Sequence, residues 1–205
     1  MENSPSTFEI IKDIILMIFA AIGSFVALSG LKAWRIQLKG KSEYELTIRI
    51  LKSIYSLREA INRVRNPLIT PSEMYSAQKE KGLPIKEKEF DNWNTAIVYE
   101  VRWNEISKAM NELKVIELEA EALWGKNISE SLDKLYKIVV KLYITLQQFL
   151  SLNKKQNYHE RDFELLSKYE EIVYDRGSKE EPDSFTQNIN SAIKEIENSI
   201  RKYLK

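Results

Sequence analysis

The 205-residue chain contains no cysteine and a single histidine, His159. Without thiols there is no disulfide, no thiol nucleophile and no cysteine metal site. One imidazole is too few for a zinc or di-iron centre, which needs several His or Cys ligands or paired Glu-x-x-His motifs. The residue three before it is Gln156 rather than Glu. A Ser-His-Asp arrangement would have to use His159, which lies in the hydrophilic stretch Asn153 to Asp162, the setting of an exposed loop residue. Glycine and proline are scarce, at six and five residues. No long segment alternates as a half-buried strand does. Neither a Walker A sequence nor GxGxxG occurs. These absences point to an all-α, non-enzymatic chain without cofactor or metal.

What the chain does have is a long apolar run. Ile14 to Leu31 is eighteen residues without charge, between Asp13 and Lys32. As a helix it spans about 27 Å, close to the hydrocarbon thickness of a bilayer. The run therefore predicts one transmembrane helix over residues 8–38. Before it stand Glu2, Glu9, Lys12 and Asp13; after it come Lys32, Arg35, Lys39 and Lys41, with no acid until Glu43. Basic flanks favour the cytoplasmic side, so the expected topology is single-pass in the cell (inner) membrane, N-terminus outside. Lys32, Trp34, Arg35 and Lys39 are the expected head-group contacts. A cleaved signal peptide would place its positive charge before the run, not after it. A run of this length could also form a buried core helix, or a span that leaves the following domain outside. Within the run, Ala20/Ser24 and Gly23/Ala27 have the small-xxx-small spacing that lets two helices approach closely.

Charge is uneven along the chain. Residues 32–66 hold nine Lys/Arg against three acids; from Pro67 onward there are 21 against 24. A basic segment beside an apolar run suits anionic head groups better than nucleic acid. Membrane lipid, a protein partner and a second copy of the chain are thus the expected partners, with no nucleic acid among them.

The remaining sequence, 42–205, reads as an antiparallel bundle of four or five helices. Ser4 to Thr7 and Ser6-x-x-Glu9 open the first helix, and Gly40 is its natural break. Ser42-Glu43-Tyr44-Glu45 opens a second helix ending before Pro67. Its apolar residues fall on two arcs, Leu46/Ile50/Ile54/Leu57/Ile61/Val64 and Tyr44/Ile48/Leu51/Tyr55. Thr70-Pro71-Ser72-Glu73 starts a short segment closed by Gly82 and Pro84. A long helix from about Lys88 to Trp124 shows one face of Phe90, Trp93, Ile97 and Val101, then a rotated face of Met110, Leu113, Ala120 and Trp124. That drift predicts a bend or a change of neighbours. Gly125 stops it and Asn127 caps the next helix, whose apolar positions are Leu132, Leu135, Val139, Leu142, Leu146 and Phe149. Phe163, Leu166, Tyr169 and Val173 mark a shorter helix. A charged turn over 177–183 follows, and Ser184-x-x-Gln187 caps a last helix with the seam Phe185, Ile189, Ile193, Ile196, Ile200 and Tyr203.

One polar stripe stands out. Arg58, Asn62 and Arg65 follow i, i+4, i+7 spacing beside Leu57, Ile61 and Val64. Polar groups on an apolar side need partners. Arg58 or Arg65 is therefore expected to pair with Glu105, or another acid inside the bundle, with a small-anion or lipid-phosphate site as the sharper alternative. Glu117 and Glu121 share a helix face, and their run, ELEAEA, reads as solvated. The all-helical make-up is similar to that of HEPN-type ribonucleases, whose active motif sets an Arg a few residues before a His. Here the nearest preceding arginine is Arg102, so the resemblance stops at architecture. These features imply a membrane-anchored, non-enzymatic interaction or scaffold protein. The alternative is a membrane-disrupting effector that oligomerises through its span.

Overall fold

The computed structural model describes residues 7–83, 92–155, 157–178 and 180–204. Among these residues the chain forms six helices and a closing 3-10 turn, and no strand. The helices are α1 Thr7–Arg65, α2 Pro71–Glu80, α3 Asn92–Trp124, α4 Asn127–Asn153, α5 Glu160–Val173 and α6 Ser184–Ile200, followed by the turn Arg201–Leu204. Two compact units divide at Glu45/Leu46, and α1 contributes to both.

The expected break at Gly40 and the fresh start at Ser42 are absent: α1 runs through both. A glycine ends a helix by taking up the left-handed conformation. Gly40 does not; among the described residues only Gly82 and Gly125 have positive φ. In a helix interior Gly costs only about 1 kcal/mol relative to Ala. Ion pairs at i, i+4 flank the site, Lys39–Glu43 and Lys41–Glu45, each 3.9 Å. The expected opening at Ser4 to Ser6 lies outside the described residues. In the first unit the described side chains from Ile10 to Lys39 are all exposed.

In the second unit, Leu46, Ile50, Ile54, Leu57, Ile61 and Val64 are all fully buried. The second arc of α1 is a rim instead: Tyr44 and Tyr55 are exposed, and Ile48 and Leu51 are half-buried. Cross-helix pairs give the directions. Arg49 meets Glu119 at 2.5 Å and Arg63 meets Glu105 at 2.6 Å, so α1 and α3 run oppositely. Tyr55 donates to Glu197 and Arg65 reaches Asp183, so α6 also opposes α1. Tyr136 donates to Glu117, while Trp103 lies against Tyr143 with ring centroids 4.9 Å apart, so α4 opposes α3.

The change of neighbours expected along α3 is present. Ile97 and Val98 pack with Met74 and Ala77 of α2, whereas Tyr99 through Ala120 join the main core. The expected start near Lys88, Phe90 and the side chain of Trp93 lie outside what is described.

Local signals explain most ends. Thr70 Oγ1 accepts from Glu73 N at 3.2 Å, with Pro71 in the first turn of α2. Gly82 closes that helix at φ 64, with Gly82 N donating to Lys79 O and Leu83 N to Gln78 O. This double bond to the last turn is the Schellman arrangement. Gly125, at φ 80, ends α3 in the same left-handed conformation. Two caps fall one residue earlier than expected. Lys126, not Asn127, precedes α4. Asp183, not Ser184, caps α6, accepting from Thr186 N at 2.8 Å. Phe163, expected on the buried seam of α5, is 60% exposed and lies against Tyr158, while Asp162 is buried. Asp162 accepts from His159 N at 3.0 Å, making His159 the exposed cap of α5.

Candidate functional site

Arg65, the last residue of α1, is 1% exposed. Every nitrogen of its guanidinium donates. Nε bonds Ile172 O at 2.7 Å and Nη1 bonds Thr186 Oγ1 at 2.6 Å. Nη2 bonds Tyr174 O and Asp183 Oδ2, both at 2.9 Å. The carbon centre of the group lies 4.8 Å over the Phe185 ring, a cation–π position. In return Arg65 O accepts from Asp175 N at 2.8 Å. One side chain thus ties the end of α1 to the α5–α6 turn and to the cap of α6. Burial alone would raise the Asp183 carboxyl; the Thr186 N–H and the Arg65 guanidinium outweigh it and hold the group down at about 2. Burial and a hydrogen bond to Asp183 push the neighbouring Asp175 carboxyl up. Gly177 is needed in this turn, because a Cβ there would meet Asp183 N and lie 2.8 Å from Pro182 Cα.

A second buried arginine does the same at the other side of the junction. Arg102, 3% exposed, makes a two-pronged pair with Glu73: Nε to Oε1 at 2.7 Å and Nη2 to Oε2 at 2.8 Å. It also donates to the carbonyls of Asn66 at 2.6 Å and Leu68 at 2.8 Å. Leu68 N donates to Asn66 Oδ1, which sets the local turn. The Arg102 bonds hold the Glu73 carboxyl below its usual range, its partial burial notwithstanding. The two arginines thus satisfy main-chain carbonyls at two helix ends: Arg65 those of Ile172 and Tyr174 where α5 ends, and Arg102 those of Asn66 and Leu68 just past α1.

The rest of the expected stripe does not converge. Glu105 pairs with Arg63, not with Arg58 or Arg65, and both partners lie at the surface. Arg58 sits near Glu59 at 3.5 Å and over the Tyr55 ring at 5.1 Å. Arg58 and half-buried Asn62 line an open groove of about 360 Å³ with Glu59, Asp175, Thr186 and Asn190. Among the described lining residues the carboxylates of Glu59 and Asp175 offset the Arg58 cation. Arg65, behind it, has its donors committed to the protein's own acceptors.

Glu117 corrects another expectation. It is 3% exposed and accepts from Tyr136 Oη at 2.6 Å and Lys114 Nζ at 2.9 Å. Burial first, then this bond, pushes the Tyr136 phenol up, so Tyr136 remains the donor. Glu121 accepts from Ser129 Oγ at 3.0 Å, and of this run it is Glu119 that lies out at the surface, paired with Arg49. Among the described residues no cluster of three or more His, Cys, Asp or Glu could hold a metal ion.

The sequence reading missed Arg102, Glu73, Asp183 and Thr186. Arg102 had a legible signal: it stands four residues from both Val98 and Ile106, inside an apolar stripe. Its partners had none.

The residues expected at a membrane anchor sit on the first unit. Ala20, Gly23, Ser24 and Ala27 are exposed, and a Cβ built on Gly23 or Gly30 meets nothing within 4 Å. Ser24 Oγ donates to Ala20 O at 2.8 Å, satisfying its own hydroxyl within the helix. Lys32, Trp34, Arg35 and Lys39 are exposed as well. Among the described residues one helix, α1, is long and apolar enough to cross a membrane, with none of its apolar window buried. Comparison of the chain with protein-family models, curated proteins and solved structures finds no match.

Proposed function

We propose that this chain is a single-pass membrane protein of the cell (inner) membrane. Its N-terminus lies outside, and its antiparallel helical bundle serves as a non-catalytic interaction module at the cytoplasmic face. The observation that carries the reading is the solvent exposure of the apolar window. Ten large apolar side chains between Ile15 and Leu31 are exposed, among them Phe19 at 68%, Phe25 at 72% and Leu28 at 69%. They point round the whole circumference of the helix. Burying each such side chain is worth about 1.5–3 kcal/mol, so leaving ten in water forgoes about 15–30 kcal/mol. That exceeds the typical stability of a whole domain, about 5–15 kcal/mol. A bilayer removes the deficit, and a continuous helix satisfies the backbone within it. The basic flank supports the orientation.

Support for an interaction role comes from the bundle surface. Val115 and Leu118 of α3 are 69% and 61% exposed; Val140 and Ile144 of α4 are 53% and 51% exposed. The buried arginines Arg65 and Arg102 hold turns together, and the buried Glu117 carboxylate bonds Tyr136 and Lys114.

Alkaline extraction of membranes tests the anchor: the chain stays in the pellet and is released by detergent. Recovery in the soluble fraction refutes it. Topology follows from single cysteines in this cysteine-free chain. Ser6→Cys should react with an impermeant thiol reagent on intact cells, and Lys126→Cys, at an exposed loop position, only after lysis. The reverse pattern overturns the orientation. The second reading, an oligomerising membrane-disrupting effector, draws on the open helix face at Gly23. It requires that induced expression depolarise cells and that Gly23→Leu with Ala27→Leu abolish the effect.

A further inference from the structure

The residues just outside the apolar run lie within the helix α1. Lys32, Arg35 and Lys39 are spaced by three and four, so on a continuous helix they share one face. Leu31, Trp34 and Leu38 have the same spacing and form a second face about 100° away. Their exposures are 43%, 58% and 51%. Relative to Leu31 the three cations lie about 1.5, 6 and 12 Å along the axis. There is no Asp or Glu between Asp13 and Glu43. Lys39 meets Glu43 at 3.9 Å and is itself largely exposed; Lys41, on the opposite side, is paired with Glu45 at 3.9 Å. Positive charge is thus gathered on one side of the helix at the depth where a bilayer places its phosphates. Long basic side chains can reach those phosphates while their stems cover apolar surface.

We infer that the Lys32/Arg35/Lys39 face binds anionic phospholipid head groups, with Trp34 seated at the interface beside them. The inference rests on the membrane reading above and adds a lipid class and a side of the helix to it. Charge complementarity singles out the occupant. A zwitterionic head group brings its own cation to the surface, whereas an anionic lipid leaves its phosphate charge uncompensated. Two of the three cations lie within one Debye length, about 8 Å, of the helix exit.

The test uses the full chain in phosphatidylcholine vesicles containing phosphatidylglycerol, with the bromines placed on one lipid or the other. The quenchable fluorescence is assigned to Trp34 by its loss in Trp34→Phe. At equal mole fraction, brominated phosphatidylglycerol should quench about fivefold more effectively than brominated phosphatidylcholine, the preference expected of basic groups near an anionic surface. The ratio should fall to one in the Lys32→Gln/Arg35→Gln/Lys39→Gln variant. It should remain fivefold in a control that removes three bundle charges, Lys108→Gln/Lys126→Gln/Lys202→Gln. Equal quenching by both lipids in the native chain overturns the inference and leaves the span intact. A fall in the ratio with the control variant assigns the preference to total charge and overturns the face. Absence of quenching by either lipid overturns the membrane reading itself. Quenching by brominated phosphatidylcholine reports insertion of each variant independently.

Discussion

Replacing Arg65 by Met keeps the volume and removes four hydrogen bonds. The acceptors left behind are Ile172 O, Tyr174 O, Thr186 Oγ1 and Asp183 Oδ2. Breaking a buried ion pair by deleting one partner costs about 3–5 kcal/mol, mostly because the other charge is stranded. Asp183 is not wholly stranded. Its side chain is 18% exposed and keeps the Thr186 N–H at 2.8 Å and the Arg176 N–H at 3.2 Å. The low end applies, about 3 kcal/mol, equivalent to about a 150-fold change in an opening equilibrium. The affected contacts all lie between the end of α1 and the start of α6, so the opening should be local. Hydrogen exchange followed by mass spectrometry on the full chain in detergent reads this directly. Amides of Ser184–Ile200 should exchange about 150-fold faster, while those of α2 change little. Arg58→Met, at a half-exposed side chain near Glu59, should leave α6 unchanged. If Arg65→Met accelerates α6 exchange less than about tenfold, the guanidinium is not what holds this turn, and the reasoning fails.

Four further outcomes follow from the same structure. Arg102→Met should open α2 and the 66–68 turn by about 3 kcal/mol, read as faster exchange over Pro71–Glu80 with α6 protected. Asp175→Asn should stabilise the α5–α6 turn at neutral pH. The folded-state pKa of Asp175 is raised, so its stabilising contribution is present when protonated and lost as pH rises through that value. The neutral amide escapes this loss, and its advantage in thermal melts should vanish as pH falls below the ordinary aspartate range. Asp183 has the opposite sign: its pKa is depressed to about 2, so its contribution is present above the ordinary value and lost as pH falls toward 2. Gly40→Ala should slow exchange around residue 40 by about 1 kcal/mol, because the helix continues there. Faster exchange would mean that the chain needs a glycine conformation at that point.

Helices with a single dominant neighbour side were legible. Every apolar position expected on α4 is buried, as are Phe185, Ile189, Ile193, Ile196 and Ile200 of α6. Stops marked by left-handed glycines, Gly82 and Gly125, were legible too, because a positive φ is a local demand. Gly40 misled because glycine permits that conformation without requiring it. Phe163 and Glu117 misled because residue type was taken for environment. Phe163 has Tyr158 beside it, and Glu117 has Tyr136 and Lys114 to satisfy it. Of the polar stripe, Arg58 or Arg65 was expected to pair with Glu105 or another acid inside the bundle; Arg65 is the buried one, and it bonds Asp183. Its carboxylate lies 118 positions away in a turn read only as charged.

The sequence by itself determined the all-α class, the uncharged run of membrane-crossing length, the basic flank after it and most of the helix seams. These are matters of composition and period, and composition and period are local. Only the tertiary structure decided that one helix runs from Thr7 to Arg65. It alone decided which residues of the polar stripe are buried, and which of the protein's own turns Arg65 and Arg102 bond. Those choices depend on which carbonyls and carboxylates long-range packing brings within hydrogen-bond reach of a guanidinium. A fixed fork of donors in a dry site accepts only partners that fit it.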